Sequence, residues 1–254
     1  MTSYGKLSTE FYDLDKPEAP PDAFDYYEAE AARTEGAILE PMCGSGRFLL
    51  PLAARGFDIQ GSDASPDMLS ACRERARQLG LTPVVSQQRL DALHADRQFG
   101  LVFIPSGSFS LITDLHAASQ ALERIRELIA PGGRFIVEVE RRNSERCSEL
   151  SGTWGGRWVT RPDGAKIVLS WLSQYVAPTG ISSSVHRYEL VKDGQLLAQE
   201  FEDFELKLYD LAEFRQMLER ARFTEIQALV PYSLEPVSEQ SDPDDGAIFV
   251  CRPG

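Results

Sequence analysis

The chain has 254 residues and a formal net charge of −13 at pH 7. This length suits one α/β domain that carries an insertion. The acidic charge, without a dense basic cluster, argues against a nucleic-acid substrate because phosphates would be repelled. No apolar run approaches the roughly 18 to 20 residues of a membrane helix, and the N-terminus has no secretory signal pattern, so we expect no membrane contact and a cytoplasmic location.

The four cysteines lie far apart, at positions 43, 72, 147 and 251. They form no C-x-x-C pair, and no histidine stands near them at the spacing of a metal ligand. This spacing favours reduced thiols over a zinc site or a disulfide framework. We therefore expect no bound metal.

Between Gly36 and Glu140, short apolar runs alternate with amphipathic stretches, an order typical of a parallel sheet covered by helices. We predict five strands in this part, at residues 37–41, 57–62, 83–86, 100–104 and 133–139. We predict helices between them, at residues 47–55, 66–79 and 115–129. Pro131-Gly132-Gly133 is expected to end the third helix and to lead directly into the fifth strand.

After Glu140 the sequence becomes rich in β-forming residues. Four alternating runs predict an antiparallel sheet, at residues 157–161, 166–176, 182–191 and 196–208. Asp163-Gly164 and Asp193-Gly194 are typical of the hairpin turns between such strands. Helical periodicity returns at residues 211–222, and two further strands are predicted at residues 225–230 and 247–251. We expect at least two of the three tryptophans, at positions 154, 158 and 171, to pack in the core.

An apolar strand that ends in the carboxylate of Glu40 leads into the glycine turn Gly44-Ser45-Gly46. Asp63 ends the next predicted strand, near the roughly 20-residue offset at which an acidic residue bonds ribose hydroxyls in nucleotide-binding units. The third glycine of a G-x-G-x-x-G dinucleotide site is missing, and Glu40 would oppose a pyrophosphate. These features disfavour a nicotinamide oxidoreductase and favour a cationic ligand.

Four segments resemble, in the right order, the motifs of class I methyltransferases that use S-adenosylmethionine (SAM). They are residues 40–46, residues 63–69, residues 99–104 and Pro131-Gly132-Gly133. The resemblance implies a Rossmann-like α/β fold, with a seven-stranded, mostly parallel sheet, helices on both faces and an antiparallel β insertion after the fifth strand. It also implies SAM as the cofactor and S-adenosylhomocysteine (SAH) as the product.

The same resemblance implies roles for individual residues. Glu40 and Gly44 would face the methionine part of SAM, and Asp63 would hold the ribose hydroxyls. Gln88 stands where the family often has an acidic residue beside the adenine amine, and its amide oxygen can serve as the acceptor instead. Tyr12, in the aromatic N-terminal segment, would reach the SAM carboxylate. The adenine would be bordered by Ala64, Met68, Gln88 and Leu90. The full set of expected cofactor contacts is Tyr12, Glu40, Met42, Gly44, Gly46, Arg47, Asp63, Ala64, Met68, Gln88, Leu90 and Ile104.

The aromatic N-terminus and the predicted insertion are similar to those of the sugar-amine and glycine N-methyltransferase branch, which implies a small-molecule substrate. We divide the chain into four segments on this basis. They are an N-terminal lid segment (1–35), a SAM-binding Rossmann-like core (36–145), an antiparallel substrate cap (146–208) and the C-terminal part of the core (209–254). A homodimer is a possible assembly.

We expect the methyl group to go to an amine nitrogen of the small molecule. Small-molecule O-methylation and SAM binding without catalysis are the alternatives that the sequence leaves open. A neutral amine needs no catalytic base, whereas a hydroxyl acceptor does. The candidate catalytic residues are His186, His116 and Glu138, and for both histidines a position facing solvent is equally compatible with the sequence.

Overall fold

The computed structural model describes residues 4–238, 241 and 246–254. Residues 1–3 of the predicted lid segment, and residues 239, 240 and 242–245 of the predicted C-terminal segment, lie outside this description. The helices of the described chain are α1 (Lys6–Asp15), α2 (Pro21–Ala32), α3 (Leu49–Ala54), α4 (Pro66–Gln78), α5 (Leu115–Leu128), α6 (Ser144–Leu150) and α7 (Leu211–Arg220). None of these helices is long and apolar enough to cross a bilayer.

A larger sheet contains seven of the described strands: β1 (Ile38–Pro41), β2 (Ile59–Asp63), β3 (Val84–Gln87), β4 (Phe99–Ile104), β5 (Ile129–Val139), β10 (Phe223–Leu229) and β11 (Ala247–Pro253). Their spatial order is β10-β11-β5-β4-β1-β2-β3. The pairings among β1 to β5 are parallel, whereas β11 runs antiparallel to β5 and β10. The predicted seven-stranded, mostly parallel sheet is confirmed.

Helices cover both faces of the larger sheet, as predicted. Leu101 and Phe103 of β4 pack with α2, α3 and α4 on one face. Val102 and Ile104, the alternate residues of the same strand, pack with α5 and α7 on the other face. All four side chains are fully buried. A parallel strand that is covered on both sides reads as a continuous apolar run, which explains the composition of β4.

A smaller sheet follows β5 and is called the cap sheet here. It consists of four antiparallel strands in the order β6-β7-β8-β9, which are β6 (Trp154–Thr160), β7 (Lys166–Val176), β8 (Ile181–Lys192) and β9 (Gln195–Lys207). The predicted turns are confirmed, since Gly164, Asp193 and Gly194 all have positive φ. The sequence did not predict α6, which precedes the cap sheet.

The N-terminal segment forms helices α1 and α2, which the sequence did not predict. On one face of the cap sheet, Leu7 and Phe11 of α1 pack against Tyr188 and its apolar neighbours. The Glu200 carboxylate accepts the backbone N–H groups of Leu7 at 3.0 Å and Ser8 at 3.1 Å. A carboxylate at this position stabilises the start of a helix because it satisfies free N–H groups and complements the helix dipole.

The other face of the cap sheet exposes both tryptophans of β6, and this overturns the expectation for the tryptophans. Trp154 is 72% exposed and Trp158 is 62% exposed, and both belong to β6. Trp171, on the neighbouring strand, packs against the cluster under α1. The prediction that at least two tryptophans lie in the core was therefore wrong, because Trp154 and Trp158 lie on the edge strand β6 and remain exposed.

The fifth strand starts earlier than predicted. Helix α5 ends at Leu128 and β5 begins at Ile129, so Pro131-Gly132-Gly133 lies inside the strand rather than before it. Ile129 pairs with Phe99 of β4, and the next pair is Arg134 with Leu101. The register between β4 and β5 therefore shifts at this point, and the additional residues of β5 lie in an irregular part of the pairing. A Cβ atom on Gly133 would approach the carbonyl oxygen of Gly100 to 2.9 Å, so the close contact requires glycine.

Candidate functional site

A cavity of about 920 Å³ lies between the carboxyl ends of the core strands and the cap sheet. Its walls come from the turns after β1, β2, β3 and β4, from the N-terminal segment, and from β7, β8 and β9 of the cap. The strand order reverses between β4 and β1. Ligands of open parallel sheets bind at such a reversal, outside the carboxyl ends of the strands, so this cavity is the candidate site.

Glu40 lines the cavity at the end of β1, and only 2% of its surface is exposed. Its Oε2 atom has no hydrogen-bond partner among the described residues. Burial raises the pKa of Glu40 well above its usual range, although the nearby positive charge of Arg47 opposes this shift. A buried carboxyl oxygen without a partner is uncommon, and here it is available to a cation in the cavity, whose charge would favour the ionised form of Glu40.

Asp63 ends β2 and lines the same cavity. Its Oδ2 atom accepts the N–H of Gly44 and its Oδ1 atom accepts the N–H of Ser65, both at 2.8 Å. These bonds connect the tip of β2 to the turn after β1 and place the side chains of Asp63 and Glu40 at one edge of the sheet. Burial raises the pKa of Asp63, and the bonds from backbone N–H groups oppose that shift. Each carboxylate oxygen can accept a further bond, so Asp63 remains able to bind a ligand hydroxyl.

The turn between β1 and α3 has an unusual backbone. Met42, Gly44 and Gly46 have φ values of +59°, +54° and +82°. Positive φ is easy for glycine but uncommon for a side chain such as Met42, which also lines the cavity. These residues form consecutive turns, so α3 begins at Leu49 instead of the predicted residue 47.

The residues predicted at the adenine, Ala64, Met68, Gln88 and Leu90, all line the cavity. Bonds within its own loop orient the Gln88 amide. Its nitrogen donates to Ser86 Oγ at 2.7 Å, and its oxygen accepts the N–H of His94 at 2.9 Å. The amide oxygen keeps one free acceptor position for a ligand N–H.

Tyr12 and Arg47 meet at another part of the wall. The centre of the Arg47 guanidinium lies 5.5 Å from the centroid of the Tyr12 ring, and the Lys16 ammonium lies 5.5 Å from the same centroid. Arg47 Nη2 donates to Ser106 Oγ at 2.8 Å. Two cations beside a tyrosine ring form a setting that can bind a carboxylate.

All the predicted cofactor contacts line this cavity except Gly46 and Ile104. A Cβ atom on Gly46 would lie 2.8 Å from Cys72 Sγ, so glycine is needed here for packing against α4. Ile104 is fully buried because its side chain points toward α5. Tyr4 and Ser106 also line the cavity, although they were not among the predicted contacts. The only sequence signals for these two are the aromatic N-terminus and the position after β4.

None of the three candidate catalytic residues lines the larger cavity. His116 is exposed near the start of α5. His186 lies on the cap face that carries Tyr188, where its ring stacks on Phe204 with centroids 4.7 Å apart. Burial, reinforced by the positive charge of Arg157, lowers the pKa of His186 to about 4.

Glu138 borders a second cavity of about 540 Å³, together with residues 15–21, Arg47, Ser106 and Tyr232. Its Oε2 atom accepts the N–H of Ser106 at 2.8 Å and the hydroxyl of Tyr232 at 3.0 Å. Burial raises the pKa of Glu138 to about 7, although these two hydrogen bonds favour the charged form. In the described part of the chain, no group of three or more His, Cys, Asp or Glu residues is arranged to hold a metal ion.

Comparisons with known proteins agree with this geometry. Residues 38–133 match the family model of a methyltransferase domain. A protein of Geobacillus sp. strain WCH70 that is named as a methyltransferase shares 23% identity over 248 residues, which cover 91% of this chain and 94% of that protein.

Two solved structures show the same fold. An S-adenosylmethionine-dependent methyltransferase from Clostridium acetobutylicum superimposes with a TM-score of 0.79 at 17% identity, covering 98% of both chains. The sugar N-methyltransferase KedS8 from Streptoalloteichus superimposes with a TM-score of 0.74 at 20% identity, covering 100% of this chain and 97% of the other. The chain therefore carries a methyltransferase domain at residues 38–133 and has the fold of the SAM-dependent methyltransferases.

Proposed function

We propose that the protein transfers the methyl group of SAM to an amine nitrogen of a small molecule. The observation that carries this proposal is the composition of the cavity wall, which has a buried carboxylate at the core side and further carboxylates on the cap side. The volume of about 920 Å³ falls near the upper end of the range of roughly 300 to 1,000 Å³ for small-molecule sites. Such a cavity can hold the cofactor and a small acceptor together.

In this proposal the core side of the cavity binds SAM. Glu40 faces the ammonium group of the methionine part, and Asp63 bonds the ribose hydroxyls. Arg47 and Tyr12 bind the methionine carboxylate, since a cation and a hydroxyl are the groups that such an anion prefers. The remaining contacts come from the turn at Met42 and Gly44 and, at the adenine, from Ala64, Met68, Gln88 and Leu90.

The cap side binds the acceptor. Asp203 and Glu205 of β9 line it, together with serines of β7 and β8. Among the described residues that line the larger cavity, none is a histidine or a lysine. Carboxylates attract an amine, which is a cation at neutral pH, and one of them can accept the proton that the nitrogen must lose before it reacts.

The chemistry requires little from the protein beyond placement. When bound, SAM supplies a methyl group on a positively charged sulfur, and the nitrogen lone pair forms the new bond as the carbon–sulfur bond breaks. The core side and the cap side hold the two reactants on opposite parts of one cavity, which favours reaction at near-attack distance. Helix α1, which contributes Tyr12, lies against the cap sheet and helps to exclude water.

The proposal is tested by turnover of a panel of acceptors, with SAH release as the readout. We expect SAH formation with small amines, including amino sugars and amino acids, and a mass increase of one methyl group on their nitrogen. Turnover of hydroxylated aromatics alone would instead establish O-methylation. SAM binding without SAH formation from any member of the panel would contradict transfer to either class of acceptor.

A further inference from the structure

A chain of hydrogen bonds runs beneath the candidate cofactor site, from the loop between β10 and β11 to the turn after β1. Tyr232 donates its hydroxyl to Glu138 Oε2, and the same oxygen accepts the backbone N–H of Ser106. The Ser106 hydroxyl in turn accepts a bond from Arg47 Nη2 at 2.8 Å. Residues that are distant in the sequence thus form one continuous network that ends at a residue of the cavity wall.

Two residues of this network have a backbone conformation that needs external support. Ser106 has φ of +58° and Tyr232 has φ of +59°, values that are uncommon for residues other than glycine. Such conformations persist where surrounding contacts hold them in place. The Glu138 carboxylate supplies such a contact to both residues, since it binds the N–H of Ser106 and the side chain of Tyr232 at a single oxygen.

Arg47 depends on this support. Its surface is only 7% exposed, and its Nε atom has no hydrogen-bond partner among the described residues. Its guanidinium donates a hydrogen bond to Ser106 Oγ, and its central carbon lies 5.5 Å from the ring centroids of both Tyr12 and Phe48. The orientation of the guanidinium toward the cavity therefore follows the position of the Ser106 hydroxyl.

We infer that Glu138 and Tyr232 are positioning residues for cofactor binding. They hold Ser106, whose hydroxyl fixes the Arg47 guanidinium where it meets the carboxylate of the methionine part of SAM. This inference rests on the role that the proposed function gives to Arg47. It differs from a role of Glu138 as catalytic base, because Glu138 does not line the larger cavity and its Oε2 already accepts two hydrogen bonds.

The experiment compares two ligands that differ only in the methionine part. SAH carries the amino acid end, whereas 5′-methylthioadenosine has the same adenosine half and neither the ammonium nor the carboxylate. Binding of both is measured by calorimetry for the wild-type protein and for Tyr232→Phe, Glu138→Ala, Glu138→Gln and Tyr209→Phe. Tyr209→Phe is the matched control for Tyr232→Phe, since the Tyr209 hydroxyl is buried and has no partner among the described residues.

We expect Tyr232→Phe and Glu138→Ala to weaken SAH binding by roughly three- to tenfold, the effect of losing one supporting hydrogen bond. Binding of 5′-methylthioadenosine should stay within about twofold of wild type, because a displaced Arg47 affects the methionine end alone. Glu138→Gln should restore most of the SAH affinity, since its amide oxygen can accept the same two bonds. Tyr209→Phe should change neither affinity.

Two results would overturn the inference. One is an equal loss of affinity for both ligands in Tyr232→Phe, which would indicate general damage to the site. The other is unchanged SAH binding in both Tyr232→Phe and Glu138→Ala. The proposed function fails separately, when wild-type protein binds SAH but methylates none of the amines in the acceptor panel.

Discussion

The two sheets of the molecule differ in what covers them. The larger sheet has helices on both faces, and its strands end in turns whose carboxylates and N–H groups bond to one another. The cap sheet has α1 on one face, whereas its other face exposes Trp154 and Trp158. A sheet edge held by hydrogen bonds between its turns suits a cofactor of constant shape, and the more exposed cap sheet suits a variable acceptor. Substitutions in the two regions should therefore act on different ligands.

Glu40→Gln should weaken SAM binding by about 100-fold, because it removes a buried charge that faces a cation. The free protein should become more stable at neutral pH. Burial raises the pKa of Glu40, so the folded state holds the proton more tightly than the unfolded chain does, and the stability contributed by this group is lost as pH rises. A glutamine side chain does not ionise, so Glu40→Gln removes this loss of stability at higher pH. Calorimetry and thermal unfolding measure the two changes, and a fall in both affinity and stability would contradict the account.

Asp63→Ala should weaken SAM binding by more than tenfold, since it removes hydrogen bonds to a charged acceptor that contribute roughly 1.5 to 3 kcal/mol. The variant should also melt at a lower temperature, because Asp63 binds the N–H groups of Gly44 and Ser65. Calorimetric titration at a temperature well below the melting point separates the two effects. An affinity equal to that of wild type would contradict the ribose assignment.

Val185→Trp should act on the acceptor and leave the cofactor alone. Val185 lines the cavity from the cap and is 52% exposed, so a larger ring can be accommodated without disturbing the core. We expect kcat/KM for the acceptor to fall by roughly tenfold, with SAM affinity unchanged. Phe201→Ala is the control, because Phe201 is exposed on β9 and does not line the cavity. A loss of SAM affinity in Val185→Trp would show that the two halves are not separate.

His186→Gln should leave the shape of the pH profile unchanged between pH 5.5 and pH 8. The pKa of His186 is lowered to about 4, so the ring is neutral across this range and gains a proton only at lower pH. The activity profile of the variant, measured with a saturating amine, checks this. Loss of an ionisation near pH 6 to 7 in the variant would instead identify His186 as a titrating catalytic group.

The core was more predictable from the sequence than the cap, for a physical reason. Parallel strands end at the same edge, so strand ends at Glu40 and Asp63 were enough to place both carboxylates together. Alternation along β8 predicts two faces but does not say which one meets the cavity, so the position of His186 could not be derived. Helix α1 was missed because its apolar residues pack on a sheet far away in the chain.

The remaining misses involve single residues and non-local contacts. Gly46 belongs to the recognised motif, yet its role is to leave room for Cys72, which no local pattern indicates. Ser106 and Tyr232 have left-handed backbone conformations that residues of these types seldom adopt. Their connection through Glu138 joins a strand end and two loops, and it becomes visible only in three dimensions.

A crystal structure of the protein with bound SAH tests the central assignment most directly. The account predicts the SAH ammonium within about 3.2 Å of Glu40 Oε2, with both ribose hydroxyls at Asp63. SAH bound with its amino group directed away from Glu40, or bound outside the larger cavity, would contradict it.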